Sequence, residues 1–165
     1  MNAEESDQRR NIESRADFTD AALGMLSQLD VSGTRLATLI DVDFSPWPLD
    51  DAVVIDALTR WIRLPGRRLR LVGSRFDVIQ RDQSRFSRWR KPFAHAIECW
   101  SPTEVDPGDM PSVLLLDAAY LELLDRERWQ ARQSSERRSL VLQRERLDAL
   151  MQRCVAAWPV TVLGL

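Results

Sequence analysis

The side chains able to do chemistry in this chain are few. Asp41 and Asp43 stand two residues apart, where the apolar run 34–42 gives way to Phe44-Ser-Pro-Trp47-Pro48. Two carboxylates at the end of a strand could hold a divalent cation through their oxygens. The same spacing suits a simpler task, in which Asp43 pins the turn that two prolines force on the chain. His95 is the single histidine. As a nucleophile or general base it would need a second base or an orienting partner, and none lies near it in sequence. A histidine packed at a sheet end is the simpler reading. Trp47, between prolines, reads as a packing plug before it reads as a stacking platform. Arg75 follows the short apolar run 69–73 and could meet an anion. Asp41, Asp43, Trp47, Arg75 and His95 are therefore the candidate ligand-binding residues.

A metal centre and a cofactor are not expected. One histidine and two cysteines, Cys99 and Cys154, without metal-type spacing do not make a zinc site. Both cysteines sit in apolar patterns; a disulfide between them is one reading, and two reduced thiols of a cytoplasmic protein are the preferred one. At 165 residues the chain is one ordinary domain. No run approaches the roughly 20 apolar residues that span a bilayer. The first residues have neither the basic start nor the apolar centre of a secretory signal. The net charge of −2 hides a strong asymmetry. Residues 1–59 carry −8, residues 60–91 carry +9 and residues 92–165 carry −3. The basic segment interleaves arginines with Trp61, Phe76, Phe86 and Trp89. That mixture could face phosphate or nucleic acid. Helical spacing of the aromatics argues instead for amphipathic helices with their arginines in water, and the acidic overall balance makes nucleic acid a poor candidate partner.

Elements that would position these groups follow from periodicity. Residues 1–16 are polar and acidic and read as a flexible tail, leaving 17–165 as the folded domain. A helix is expected over 18–29, capped by Asp17 or Thr19, and a strand over 34–42. A second helix, capped by Asp50, buries Val54, Leu58 and Trp61, and a strand follows at 69–73. Strand, helix and strand at this spacing form a βαβ unit with parallel pairing. A helix over 75–91 and a strand over 94–100 come next. The runs Val113–Leu116 and Tyr120–Leu124 are close enough to pair only as an antiparallel hairpin. Residues 125–135 are polar, a long helix is expected over 136–157, and a last strand over 160–163. The fold class is α/β: a mixed, mostly parallel sheet with a central antiparallel hairpin and helices on both faces.

This order resembles one half of the phospholipase D-like fold. In that superfamily a strand starts with His-x-Lys, four residues separate the lysine from an aspartate, and a hairpin follows. The resemblance implies a histidine that attacks phosphorus and a lysine that neutralises phosphate charge. Aligned on Asp117, the histidine position holds Met110 and the lysine position Ser112. Met110, Ser112 and Asp117 are thus vestigial motif positions, and no catalytic residue is assigned. Asp41-Val-Asp43, Trp47-Pro-Leu-Asp50-Asp51, His95-Ala-Ile-Glu-Cys99, Leu114-Leu-Leu-Asp117 and Leu163-Gly-Leu165 are similar to a bacterial family of degenerate phospholipase D-like domains. That family has no assigned activity and is sometimes associated with acetyltransferase domains. The resemblance implies a non-catalytic binding or regulatory module for a phosphate-bearing ligand or a protein partner, with Arg75 near the vestigial phosphate site. Single-half members of the superfamily pair, so a homodimer is a candidate assembly. The alternative is a phosphodiesterase or hydrolase with a relocated site around Asp41, Asp43 and His95.

Overall fold

The hairpin predicted from the two apolar runs lies near the middle of an eight-stranded sheet. Its strands are β5 (Val113–Leu115) and β6 (Tyr120–Asp125), paired antiparallel with Leu114 opposite Leu121. The computed structural model describes residues 8–160. The remaining strands are β1 (Arg9–Ile12), β2 (Leu36–Asp41), β3 (Arg68–Gly73), β4 (Ile97–Pro102), β7 (Gln130–Ser134) and β8 (Cys154–Ala156). The sheet order is β1-β7-β6-β5-β2-β3-β4-β8. The βαβ unit is present: β2 pairs parallel with β3, and the helix α2 (Ala52–Ile62) connects them.

Side chains of successive strand residues point to opposite faces, and this sorts the helices into two layers. Leu39, Leu71, Leu114 and Leu121 share one core with Phe18, Leu26, Leu58, Trp61, Ile79 and Phe86. Those partners come from α1 (Arg15–Ser27), α2, α3 (Asp77–Asp82) and α4 (Ser84–Trp89). Ile40, Val72, Val113 and Tyr120 face the other way, onto Leu140 and Leu147 of α5 (Arg137–Met151). The sheet is mixed with helices on both faces, as its pattern predicts. None of the helices among the described residues is long and apolar enough to cross a membrane.

Three expected boundaries fail for physical reasons, and each failure adds an antiparallel strand. Parallel pairing is therefore confined to β2-β3-β4, against the mostly parallel sheet expected. Residues 9–12, read as part of the flexible tail, form edge strand β1 against β7. Ile12 is its one buried side chain, too little apolar signal to stand out. Residues 130–134, read as polar connection, form β7, whose inward positions are the small Ala131 and Ser134. The last helix stops at Met151, short of the expected 157. Residues 154–156 leave it to extend the sheet edge beside β4. Of the strand expected over 160–163, residues 161–163 lie outside the described residues.

The helix expected over 75–91 is broken at Gln83, whose backbone is non-helical (φ −123, ψ 58). The Gln83 side chain explains the break. Its Oε1 accepts from the backbone N–H of Leu49 and Asp50, and its Nε2 donates to the Phe44 carbonyl. A buried amide spent on another loop fixes the chain where it would otherwise coil. Asp51, not Asp50, caps α2, accepting from Val53 and Val54 N–H. Asp50 accepts from the Phe86 N–H instead, and α1 begins early because Ser14 caps it.

Candidate functional site

Asp41 ends β2 and is completely buried. A carboxylate without water must be met by donors or positive charge. Its Oδ1 accepts from the backbone N–H of Asp43 at 3.0 Å and of Phe44 at 2.8 Å. Its Oδ2 accepts from the Trp47 indole at 3.1 Å and from the Ser112 hydroxyl. Arg126 Nη1 donates to both oxygens at 2.9 Å. The local chain is bent to make this possible. Phe44 takes a left-handed φ of 67°, and its ring lies over Gly73, which ends β3 beside Asp41. Only a glycine leaves room there, because an added Cβ would stand 2.5 Å from the Phe44 ring.

Asp43 forms the outer half of the cluster. Its Oδ1 accepts from Arg126 Nη2 and from the Ser45 N–H, each at 3.0 Å. Arg75 stands 3.7 Å from Oδ2 and is largely exposed. Burial by itself would raise the Asp43 carboxyl. The hydrogen bonds from Ser45 and the Arg126 charge outweigh it and hold the group below the ordinary aspartate range. Burial pulls the Arg126 guanidinium down, and the two carboxylates more than restore it. Arg126 also donates to the Ser45 hydroxyl at 3.0 Å. Two carboxylates thus face two guanidiniums, and the cluster carries no surplus charge.

Arg126 bridges the two carboxylates, and both also accept backbone N–H groups of the turn, so in this structure the pair serves as counter-ion to Arg126 and as a turn clamp. Among the described residues no group of three or more His, Cys, Asp or Glu side chains could hold a metal ion. Trp47 is 1% exposed, its ring edge against Phe18 with centroids 5.1 Å apart. It plugs the core and has no face to offer a ligand.

Met110, Ser112 and Asp117, the three positions aligned with the motif, fall at both ends of the hairpin. Ser112, at the lysine position, is buried, and its hydroxyl is committed to Asp41 and the Trp47 indole. Met110, at the histidine position, packs against the core under α5. Asp117 lies at the far turn, where its carboxylate accepts from the Arg35 N–H at 2.8 Å and fixes the start of β2. The structure brings Asp41, Asp43, Trp47, Ser112 and Arg75 together at the carboxyl ends of β2 and β3.

His95 is not among them. It is not in a strand, as expected, but exposed in the 3-10 turn Lys91–Ala96 that precedes β4. Pro92 and the non-helical backbone of Phe93 shape that turn and delay the strand to Ile97. Ile97 is level with Leu69 and Ala37, whereas Asp41 is level with Gly73. Four residues of strand separate the two levels by about 13 Å, and His95 lies two residues further out. Asp41, Asp43 and His95 therefore do not share a cleft.

Arg126 is the site residue that sequence reasoning missed. It sits in the connection between β6 and β7, where Asp125 Oδ1 accepts from the N–H groups of Glu127 and Arg128. The run Asp125-Arg-Glu-Arg128 carries this signal, since aspartate opens such turns. Reading β7 as a polar loop hid the turn that aims Arg126 at Asp41.

No protein-family profile and no curated protein matches the chain. Solved structures do. TrmBL2, an archaeal chromatin protein with a novel mode of DNA binding, matches with a TM-score of 0.63 at 15% identity. That match covers 91% of this chain and 54% of TrmBL2. NucT from Helicobacter pylori matches with a TM-score of 0.57 at 9% identity, over 91% of this chain and 99% of NucT. Polyphosphate kinase from Porphyromonas gingivalis matches with a TM-score of 0.58 at 10% identity, over 96% of this chain and 28% of the kinase. The chain thus spans about half of TrmBL2 and under a third of the kinase. At these identities the likeness concerns the fold, and the fold is phospholipase D-like α/β.

Proposed function

We propose that this chain is a non-catalytic phospholipase D-like module that binds a phosphate-bearing ligand without turning it over. One observation carries the reading. The positions that would supply a nucleophile and a charge-neutralising lysine hold Met110 and Ser112, and the Ser112 hydroxyl is already bonded to the buried Asp41. Methionine has no basic lone pair with which to attack phosphorus, and a serine committed to a carboxylate adds no positive charge. Arg126 and Arg75 then face Asp41 and Asp43, so both carboxylates are already engaged by cations. The phosphate-bearing ligand class is supported by the surplus of +9 over residues 60–91.

The test is turnover of bis(p-nitrophenyl) phosphate and of a short single-stranded DNA by the purified chain, with and without divalent cations. The expected result is no release above the protein-free blank. Release that disappears in His95→Ala or in Asp43→Asn would overturn the reading.

A further inference from the structure

Arg90 is buried without a counter-charge among the described residues. It closes α4 at its carboxyl end, is 5% exposed, and forms no salt bridge with a carboxylate among the described residues. Its Nε is buried without a hydrogen-bond partner among them. One face of the guanidinium lies 3.5 Å from the centroid of the Trp158 ring. Trp158 is held in turn by stacking on Phe76, with centroids 5.3 Å apart. A cation–π contact offsets part of the desolvation of a guanidinium but satisfies none of its N–H donors. A buried cation kept in this way has capacity for an anionic partner.

The surroundings show what would complete it. Arg90 borders an open cavity of about 340 Å³ between α3, α4 and residues 158–160. Arg88 and Lys91 line the same space with Ser84 and Gln80, and among the described residues no aspartate or glutamate does. Three cations therefore converge on one volume that holds no anionic side chain among the described residues. The cavity lies on the helical layer, apart from the Asp41 cluster with its balanced charges.

We propose that this cavity binds a phosphomonoester dianion, held by the donor edge of Arg90 from below and by Arg88 and Lys91 from the rim. Two parallel N–H donors suit a pair of phosphate oxygens, and a dianion answers three cations better than one carboxylate would. The volume equals that of about ten waters, which leaves room for the esterified group beyond the phosphate. The inference rests on the reading of the chain as a phosphate-binding module and gives that module its site.

The side-chain Nε–H resonance of Arg90, followed in the whole chain by NMR, is the direct readout. Inorganic phosphate and glycerol phosphate are titrated separately, with sodium acetate at matched ionic strength as the comparison. A saturable shift is expected with phosphate, and a stronger one with the ester if the cavity takes the esterified group. The paired substitution Arg88→Ala and Lys91→Ala touches two exposed side chains and should weaken binding by roughly tenfold or more. Arg90→Gln should fold, because it removes an unpaired buried charge, and should abolish the response of neighbouring amides to phosphate. An Arg90 resonance that phosphate leaves in place, or that acetate moves equally, overturns the proposal. So does a phosphate response indifferent to loss of Arg88 and Lys91. If phosphodiester turnover is absent and Arg90 is unmoved, only this site falls. If turnover is present and Arg90 binds phosphate, the site stands and the non-catalytic reading falls.

Discussion

Asp41→Asn tests whether the cluster at the end of β2 holds the fold together. Asn is nearly the same size, so the change removes charge and acceptor capacity without making a cavity. Asp41 accepts from two backbone N–H groups, an indole, a hydroxyl and a guanidinium. An asparagine oxygen can keep the two backbone bonds. Its amide group then points donors at the Trp47 indole, the Ser112 hydroxyl and Arg126, all three placed to donate. Breaking a buried pair by removing one partner costs about 3–5 kcal/mol when the other charge is left in the interior. Arg126 is 37% exposed and keeps Asp43, so water and a second carboxylate reduce that cost. The expected destabilisation is about 3 kcal/mol, a large share of a total stability of roughly 5–15 kcal/mol. Urea unfolding followed by circular dichroism should show a lower midpoint at an unchanged slope. Asp43→Asn, on the wetter side of Arg126, should cost about 1 kcal/mol. In the double mutant Asp41→Asn with Arg126→Met, the two losses should fail to add by about 1–2 kcal/mol. A midpoint for Asp41→Asn close to that of the wild type would refute the account, and so would simple additivity.

Other consequences follow from the same geometry. Gly73→Ala should destabilise by about 2–3 kcal/mol, because the new Cβ meets the Phe44 ring at 2.5 Å and 2.7 Å and the buried ring cannot swing away; a wild-type urea midpoint would show that the Phe44 loop yields. Asp43 and Glu98 both titrate below their ordinary values of 3.8 and 4.5 in the folded chain. A lowered folded value stabilises above the unfolded value and is lost as pH falls through the folded one. Stability should therefore decline below about pH 4.5, and Asp43→Asn should flatten the part of that decline below 3.8; an unaltered profile in the variant would contradict the assignment. Burial pushes the Cys99 thiol up to about 11, so at pH 8 only about one molecule in a thousand holds it as thiolate. A disulfide reagent should modify the half-buried Cys154 in the native chain and Cys99 only with denaturant; equal rates for both would argue against the packing around β4.

The parts of the fold legible in the sequence are those where one side chain type repeats with the period of its element. The β2-α2-β3 unit and the β5-β6 hairpin announce themselves because Leu39, Leu71, Leu114, Val54, Leu58 and Trp61 are large, apolar and buried in register. Strands β1, β7 and β8 do not, because edge and near-edge strands bury little, and what they bury is as small as Ala131. The same asymmetry governs the site. Asp41 and Asp43 could be placed at a strand end from their neighbours alone, and Trp47 as a plug from its prolines. Their charge partner could not, since Arg126 reaches them from 85 residues away through a turn whose flanking strand leaves almost no pattern. A carboxylate pair read without its guanidinium looks like a vacancy for a metal ion; read with it, the pair is closed. Arg90 presents the opposite case. In the sequence it is one of 23 basic residues and nothing distinguishes it. Only the break at Gln83 and the turn of residues 154–158 back beside β4 bring Trp158 over its face and set the residue beside a cavity that no acid among the described residues lines. The informative arginines are thus separated by their partners: Arg126 answers the charges of Asp41 and Asp43, and Arg90 has no answering carboxylate among the described residues.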